Sequence, residues 1–283
     1  MRTFINCIVA IAISSACATA DDANVLNNQF FAFDNGIGRG NLSPEQQAKT
    51  LAELGYAGIG YTGTEDLADR MAAFKEHGVK VFNLYVPCYV DKSPPYGEDL
   101  VRAIERLKGT DVDLWLTVQG KAKDDTNAVQ AVRTIADLAA ASGLRVALYP
   151  HTGFFVADID DALRITQQVG RKNVGVTFNL CHELQAGNEA RFDDLLERAA
   201  PHLFLVSING ADHEGGWDKL IRPLGDGEFD VYSLLKKLHS IGYDQPIGLQ
   251  CYAVKGDQIA NLKKSLAQWN AYRALLAGEA AKK

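Results

Sequence analysis

The polar side chains able to do chemistry gather where short apolar runs of the sequence end. Asn83 and Tyr85 close one such run, Gln119 and Lys121 the next, then Tyr149 and His151, Asn179 and His182, Ser207 and Asn209, and last Gln250. The set is rich in amides, hydroxyls and imidazoles and poor in carboxylates. Hard divalent cations such as Mg²⁺ and Mn²⁺ need anionic oxygen ligands, so this constellation suits a neutral polyol better than a metal ion. Imidazoles add groups that titrate near neutrality.

Each of these residues also has an ordinary structural reading. A strand-end histidine bonded to a neighbouring carbonyl looks the same in sequence as His151 or His182 in a site. Asn179 and Gln250 read equally well as a satisfied buried amide pair. Trp217 could simply cover one end of the fold, Lys121 could be a solvated residue at a helix start, and Cys88 and Cys181 could be inert small apolar residues.

The runs that position these residues span 30–33, 55–61, 79–85, 112–118, 144–149, 174–180, 203–208 and 246–252. They are apolar on both faces and rich in Val, Ile, Leu, Phe and Tyr, the pattern of parallel strands covered on both sides. Amphipathic stretches separate them. The first begins Ser43-Pro44-Glu45-Gln46, where Ser43 can cap, Pro44 suits the first helical position and Gln46 can reach back to the cap. Gly55, Gly78, Gly143, Gly170 and Gly242 follow helical stretches and mark their ends. A strand and a helix alternating eight times in roughly 250 residues predicts a single (β/α)₈ TIM barrel, an α/β fold that collects its strand-end residues around one pocket. The longest connection, 209–229, carries Asp212, His213, Trp217, Lys219 and Arg222 onto that same face.

Composition narrows the partners. The chain has 283 residues, 47% hydrophobic and 23% charged, with 35 acidic and 29 basic side chains and a net charge of −6. That is globular composition with a field that repels phosphate backbones, so no nucleic-acid partner is expected. Mean hydropathy is −0.11, and the body of the chain lacks an apolar run of about 18 residues, so no membrane span is expected. Residues 1–20 read as a secretory signal: Arg2 precedes an apolar stretch and Ala18-Thr19-Ala20 forms a small-residue cleavage site. A periplasmic or secreted protein follows, with Cys88, Cys181 and Cys251 left after cleavage, too few for a disulfide framework. The expected division is a signal at 1–20, an N-terminal extension at 21–29 that is weakly ordered near 21–28, the barrel at 30–275 and a tail at 276–283.

The segments Leu148-Tyr149-Pro150-His151, Val176-Thr177-Phe178-Asn179-Leu180-Cys181-His182, Val206-Ser207-Ile208-Asn209 and Leu249-Gln250-Cys251 resemble strands five to eight of the xylose isomerase-like TIM barrel family. These are sugar isomerases and epimerases, with endonuclease IV-type enzymes among their relatives. The resemblance implies one divalent metal held by Glu, Asp, His and Glu from these strands, the two glutamates also moving the proton. The matching positions here hold Tyr149, Asn179, Ser207 and Gln250. All four differ, so the resemblance implies a member without metal or other cofactor. A register shift of one or two residues would bring Glu183 or Asp212 to the site instead. The family's histidine three residues beyond the sixth-strand acid is kept as His182.

Two functions follow from the resemblance. The first is metal-independent isomerase, epimerase or lyase chemistry on a sugar or sugar derivative, with His151 or His182 as base and Lys121, Asn209 or Arg222 stabilising the developing oxyanion. The second is a non-catalytic barrel that binds a carbohydrate. In both, Tyr149, Asn179 and Gln250 line the pocket, and Trp217 lies on a sugar ring, carried by a loop that Gly210, Gly215 and Gly216 allow to close. An exported protein would meet free or oxidised sugars rather than sugar phosphates.

Overall fold

Every apolar run forms a strand, because each is buried on one side by helices and on the other by the barrel interior. The computed structural model describes residues 26–121, 124–280 and 282. The strands are β1 (Phe30–Phe33), β2 (Gly58–Thr62), β3 (Lys80–Tyr89), β4 (Asp113–Gln119), β5 (Val146–Leu148), β6 (Val174–Asn179), β7 (Leu203–Ile208) and β8 (Ile247–Leu249). All pair in parallel with their sequence neighbours. Phe30 opposite Ile247 closes the barrel.

Between the strands run α1 (Pro44–Leu54), α2 (Leu67–Glu76), α3 (Glu98–Arg106), α4 (Thr126–Ala141), α5 (Ile159–Val169), α6 (Leu180–Gln185), α7 (Phe192–Ala199), α8 (Trp217–Leu220), α9 (Val231–Ser240) and α10 (Gln258–Ala280). The expected capping box opens α1: Ser43 Oγ accepts from Gln46 N, and Gln46 Oε1 accepts from Ser43 N. Gly55 and Gly170 close α1 and α5 in the left-handed conformation.

The apolar interior has two layers. The larger lies between strands and helices and includes Ile59, Leu84, Leu116, Ile135, Val176 and Leu235. The smaller fills the barrel itself with Phe31, Phe33, Phe82, Trp115, Ala147, Tyr149 and Leu205. Rings this large fit because small residues face them. A Cβ at Gly248 would lie 2.6 Å from Phe33 Cε1 and 2.7 Å from Phe31 Cζ. The stacked rings of Phe31 and Phe82, 4.7 Å apart, support the floor beneath the strand C-terminal ends. At the N-terminal end of the barrel, Arg145 grips buried Asp113 through two bonds of 2.8 and 2.7 Å, its guanidinium lying over the Phe204 ring.

Both chain ends depart from the expected boundaries. Leu26 is buried, Asn28 Nδ2 donates to the carbonyls of Tyr243 and Gln245, and Arg273 donates to Leu26 O, so 26–29 is packed structure rather than a loose extension. At the other end α10 continues to Ala280. Trp269 stacks on Phe30 at 4.4 Å and Leu276 is buried, so the start of the expected tail belongs to the fold. The secretory signal expected at 1–20, with Cys7 and Cys17, lies outside the described residues.

Candidate functional site

Past the last ladder bonds of β5 and β8 the backbone stays tied to its neighbours, and this aims the first side chains beyond the strands. Tyr149 N donates to Leu116 O and Gln250 N to Ile208 O. Tyr149 and Gln250 consequently point into a cavity of about 280 Å³ at the C-terminal mouth of the barrel. His151, His182, Trp217, Tyr85, Trp115 and Asn83 share that lining. β1 and β2 add Phe33, Asp34, Asn35, Gly60, Tyr61 and Thr62, and Arg39 and Ile221 complete the wall, with Tyr252 at the rim.

One residue, Thr152, fixes both histidines. His151 Nδ1 lies 2.9 Å from Thr152 O, and Thr152 N lies 3.1 Å from His182 Nδ1. A carbonyl can only accept, so His151 carries its proton on Nδ1 and keeps a lone pair on Nε2. A backbone N–H can only donate, so His182 Nδ1 is an acceptor and its proton sits on Nε2. The Thr152 hydroxyl, also 3.1 Å from His182 Nδ1, can turn its proton to the same acceptor. The rings lie 4.3 Å apart, His151 stacked on Phe154 and His182 edge-on to Trp217 at 5.1 Å. Burial, and then the neighbouring His151, hold His182 down at about 3. Burial also lowers His151, against the pull of the Thr152 carbonyl. Both are neutral imidazoles at neutral pH, one presenting an acceptor and the other a donor.

The four strand-end positions that hold metal ligands in the resembling family are closed on one another. Gln250 Nε2 donates to Tyr149 Oη at 3.3 Å, while Gln250 Oε1 accepts from Asn35 Nδ2, Cys251 N and Tyr252 N. Asn179 Oδ1 accepts from Ser207 Oγ at 2.7 Å, and Asn179 Nδ2 donates to Pro150 O. Burial pushes the Tyr149 phenol well above its ordinary range, so it stays protonated. A donor set of phenol, two amides and a hydroxyl, with its amide oxygens already accepting, does not fit a hard divalent cation. Among the described residues no three His, Cys, Asp or Glu side chains converge on a possible ion.

The carboxylates that a register shift would supply are engaged elsewhere. Glu183 accepts from Ile159 N and Asn188 Nδ2 at 2.7 and 2.8 Å, at the start of α5. Asp212 pairs with Arg222 at 2.9 Å. The carboxylate that does line the cavity is Asp34, which accepts from Thr62 N and Thr62 Oγ1 and pairs with Arg39 at 3.2 Å. Asp34 and Arg39 are the charged residues of the lining and neutralise each other.

Of the residues singled out from sequence, Asn83, Tyr85, Tyr149, His151, His182, Trp217 and Gln250 share the cavity, while Asn179 is buried outside its lining and donates to Pro150 O. Three do not reach it. Asn209 turns inward to donate to Gly210 O and Leu220 O, Arg222 is held by Asp212, and Lys121 is exposed beyond β4. The expected mobile loop is also pinned: Gly210 and Arg222 exchange two backbone bonds, and Asp212 N bonds to Lys219 O. Gly210 serves close packing rather than movement, since a Cβ there would lie 2.1 Å from Pro223 O. Sequence reasoning passed over Asp34, Asn35, Arg39 and Trp115. Asp34 directly follows the last residue of β1, so extending the strand-end rule to β1 and β2 would have found it and Thr62.

Comparison with known proteins bears on this geometry. A family model described as xylose isomerase-like TIM barrel matches residues 48–272. An uncharacterized protein of Methanocaldococcus jannaschii is 26% identical over 141 residues, 49% of this chain and 46% of that protein, so the match spans less than half the relative's length. Among solved structures, 3-keto-D-glucoside 4-epimerase from E. coli superposes with a TM-score of 0.73 at 16% identity, covering 86% of this chain and 99% of that one. D-allulose 3-epimerase from Methylomonas sp. superposes at 0.70 with 17% identity, covering 87% and 98%. At such identities the likeness is one of fold.

Proposed function

Because the chain belongs to the xylose isomerase-like TIM barrel family, we propose that it moves a proton at the carbon beside the carbonyl of a neutral sugar, with two imidazoles as its acid–base groups. The observation that carries this reading is the pair of histidines locked by Thr152 in opposite tautomers. His151 Nε2 takes the proton from the C–H bond. The electron pair left behind forms the enediol double bond, and the carbonyl oxygen gains the negative charge. His182 Nε2–H donates to that oxygen, a neutral imidazole acting as an electrophile. The proton of the neighbouring hydroxyl then passes to the charged oxygen, and His151 delivers its proton to the former carbonyl carbon, so that the carbonyl moves to the neighbouring carbon and the sugar is isomerised.

Three further features support the substrate class. The lining has no net charge, because Asp34 and Arg39 pair, which suits an unphosphorylated sugar such as an exported protein would meet. Trp217 stands beside His182 at the cavity wall and offers an aromatic ring for the C–H groups of a sugar. Two structural neighbours bear names of enzymes acting on keto sugars, a 3-keto-D-glucoside and D-allulose.

Exchange of the proton beside the carbonyl for deuterium, followed by NMR in D₂O with methyl 3-keto-glucopyranoside and D-allulose, tests the reading. Wild-type protein should catalyse exchange with at least one probe, and His151→Ala should slow it by about 100-fold or more. His182→Asn, which keeps the acceptor for Thr152 N but has no donor at the Nε2 position, should slow it by about 100-fold as well. Absence of exchange with both probes, or exchange indifferent to His151→Ala, overturns the proposal. Sugar binding without exchange would identify a carbohydrate-binding barrel.

A further inference from the structure

Six buried side-chain polar atoms have no hydrogen-bond partner among the described residues, and three of them belong to the lining of this cavity: Asn83 Oδ1, Trp115 Nε1 and Asn35 Oδ1. Asn83 and Trp115 are each 1% exposed. A buried donor or acceptor left unpaired is a standing cost to a fold, and its concentration in one cavity points to what the cavity holds.

The chain takes specific steps to put these groups there. The β2–β3 ladder slips between Ile59 and Gly60, so that Ile59 pairs with Val81 but Gly60 with Asn83. This bulge turns the consecutive residues Phe82 and Asn83 to the same inner side, Phe82 into the aromatic floor and Asn83 into the cavity wall. A Cβ at position 60 would lie 2.5 Å from Asn83 Oδ1, so only glycine leaves room for the amide. Trp115 is wedged between the rings of Phe33 and Tyr149, 5.0 and 4.9 Å away, which fixes the direction of its N–H. Asn35 gives Nδ2 to Gln250 Oε1, and that leaves its Oδ1 as the free acceptor.

We infer that Asn83, Trp115 and Asn35 form a hydroxyl-binding subsite that holds the non-reacting side of a single neutral sugar ring. The inference rests on the reading of the cavity as a sugar site. An indole N–H only donates and an amide oxygen only accepts, so a ligand that pairs with both kinds of group must itself both accept and donate, as hydroxyls do. A carboxylate or phosphate accepts only and would leave Asn83 Oδ1 unpaired. The paired charges of Asp34 and Arg39 give such an anion no compensating attraction. A volume of about 280 Å³ accommodates one ring rather than a chain of them.

Calorimetric titration with 1,5-anhydro-D-glucitol, a ring sugar without a carbonyl, tests the subsite separately from proton transfer. Wild-type protein should bind it, and Asn83→Leu and Trp115→Phe should each weaken binding roughly 10-fold or more. In the absence of sugar, Asn83→Leu should melt at or above the wild-type temperature, since an unpaired buried amide is replaced by an apolar group of similar size. A structural asparagine would instead melt lower. Failure of wild-type protein to bind the anhydroglucitol, or equal binding by both variants, overturns the subsite even if keto sugars exchange deuterium. Binding that depends on Asn83 and Trp115 with no exchange in any keto sugar leaves the subsite standing and overturns the proton-transfer reading.

Discussion

A drop in pH separates a buried neutral imidazole from a replacement that cannot titrate. His182 is held at about 3 in the folded protein, whereas the unfolded chain offers an ordinary histidine near about 6.5. The folded-state value is depressed, so the unfolded state takes up the extra proton as the solution is acidified. The stability tied to keeping His182 neutral is complete above about pH 6.5 and is lost as pH falls toward 3. Between about pH 7.5 and pH 5, where folded His182 remains unprotonated, about 1.5 pH units below 6.5 at about 1.36 kcal/mol per unit gives a loss near 2 kcal/mol.

In His182→Asn the amide oxygen takes the place of Nδ1 and can accept from Thr152 N, but nothing there titrates. The variant forfeits ring contacts with His151, Tyr149 and Trp217, so at about pH 7.5 it should be less stable by about 1–3 kcal/mol. On acidification the gap should shrink by about 2 kcal/mol, because only the wild type loses the histidine contribution. The Glu183 contribution is common to both proteins and cancels in the difference, and repeating the comparison in a His151→Gln background removes the neighbouring imidazole from it. Urea unfolding at the two pH values, fitted with a shared m-value, supplies the numbers. A gap that stays constant or widens at the lower pH would show that His182 is not a buried neutral imidazole, and the tautomer argument would fall with it.

Three other outcomes are expected. Burial pushes Glu183 up to about 8, above its ordinary carboxyl value, so its contribution is complete at low pH and is lost as pH rises toward 8. Wild-type stability should carry a falling component of up to about 1.4 kcal/mol per pH unit across that window, which Glu183→Gln removes; parallel thermal-melt profiles for the two proteins would contradict this. Arg145→Met strands the Asp113 carboxylate and should cost about 3 kcal/mol in denaturant melts, most of it recovered by adding Asp113→Asn, and an unrecovered double variant would point to lost packing over Phe204 instead. Prolonged chelation should change neither the melting temperature nor deuterium exchange; co-purification of one equivalent of Mn or Zn whose removal abolishes exchange would show that the donor set has been misjudged.

The barrel was legible because period and burial are local properties. Each apolar run between capping and glycine signals could only be a buried strand, and Ser43 with Gln46 announced α1 through contacts three residues apart. Where the strands end was equally legible, which is why Tyr149, His151, His182 and Gln250 could be assigned from sequence to the one mouth they share. What each polar group bonds to was not, because its partner lies across the fold. The Asn209 amide nitrogen is turned to the carbonyls of Gly210 and Leu220, and Arg222 is held by Asp212, so neither residue lines the cavity. The bulge that turns Asn83 inward depends on how β2 and β3 register, which no single strand reveals. Gly210 read as a hinge because the sequence does not display the backbone of Pro223 pressed against it.

The side-by-side placement of the two imidazoles, on the neighbouring exits of β5 and β6 with rings 4.3 Å apart, has a stereochemical consequence. In the proposed reaction both would address the same face of a sugar ring bound in the cavity. A carbanion formed there is reprotonated from the side that lost the hydrogen, so its configuration is retained unless the sugar turns over between the two steps. The arrangement therefore favours suprafacial outcomes, transfer of hydrogen between adjacent carbons or syn elimination, over inversion at a single carbon. Deuterium taken up from solvent should accordingly occupy the position the departing proton held.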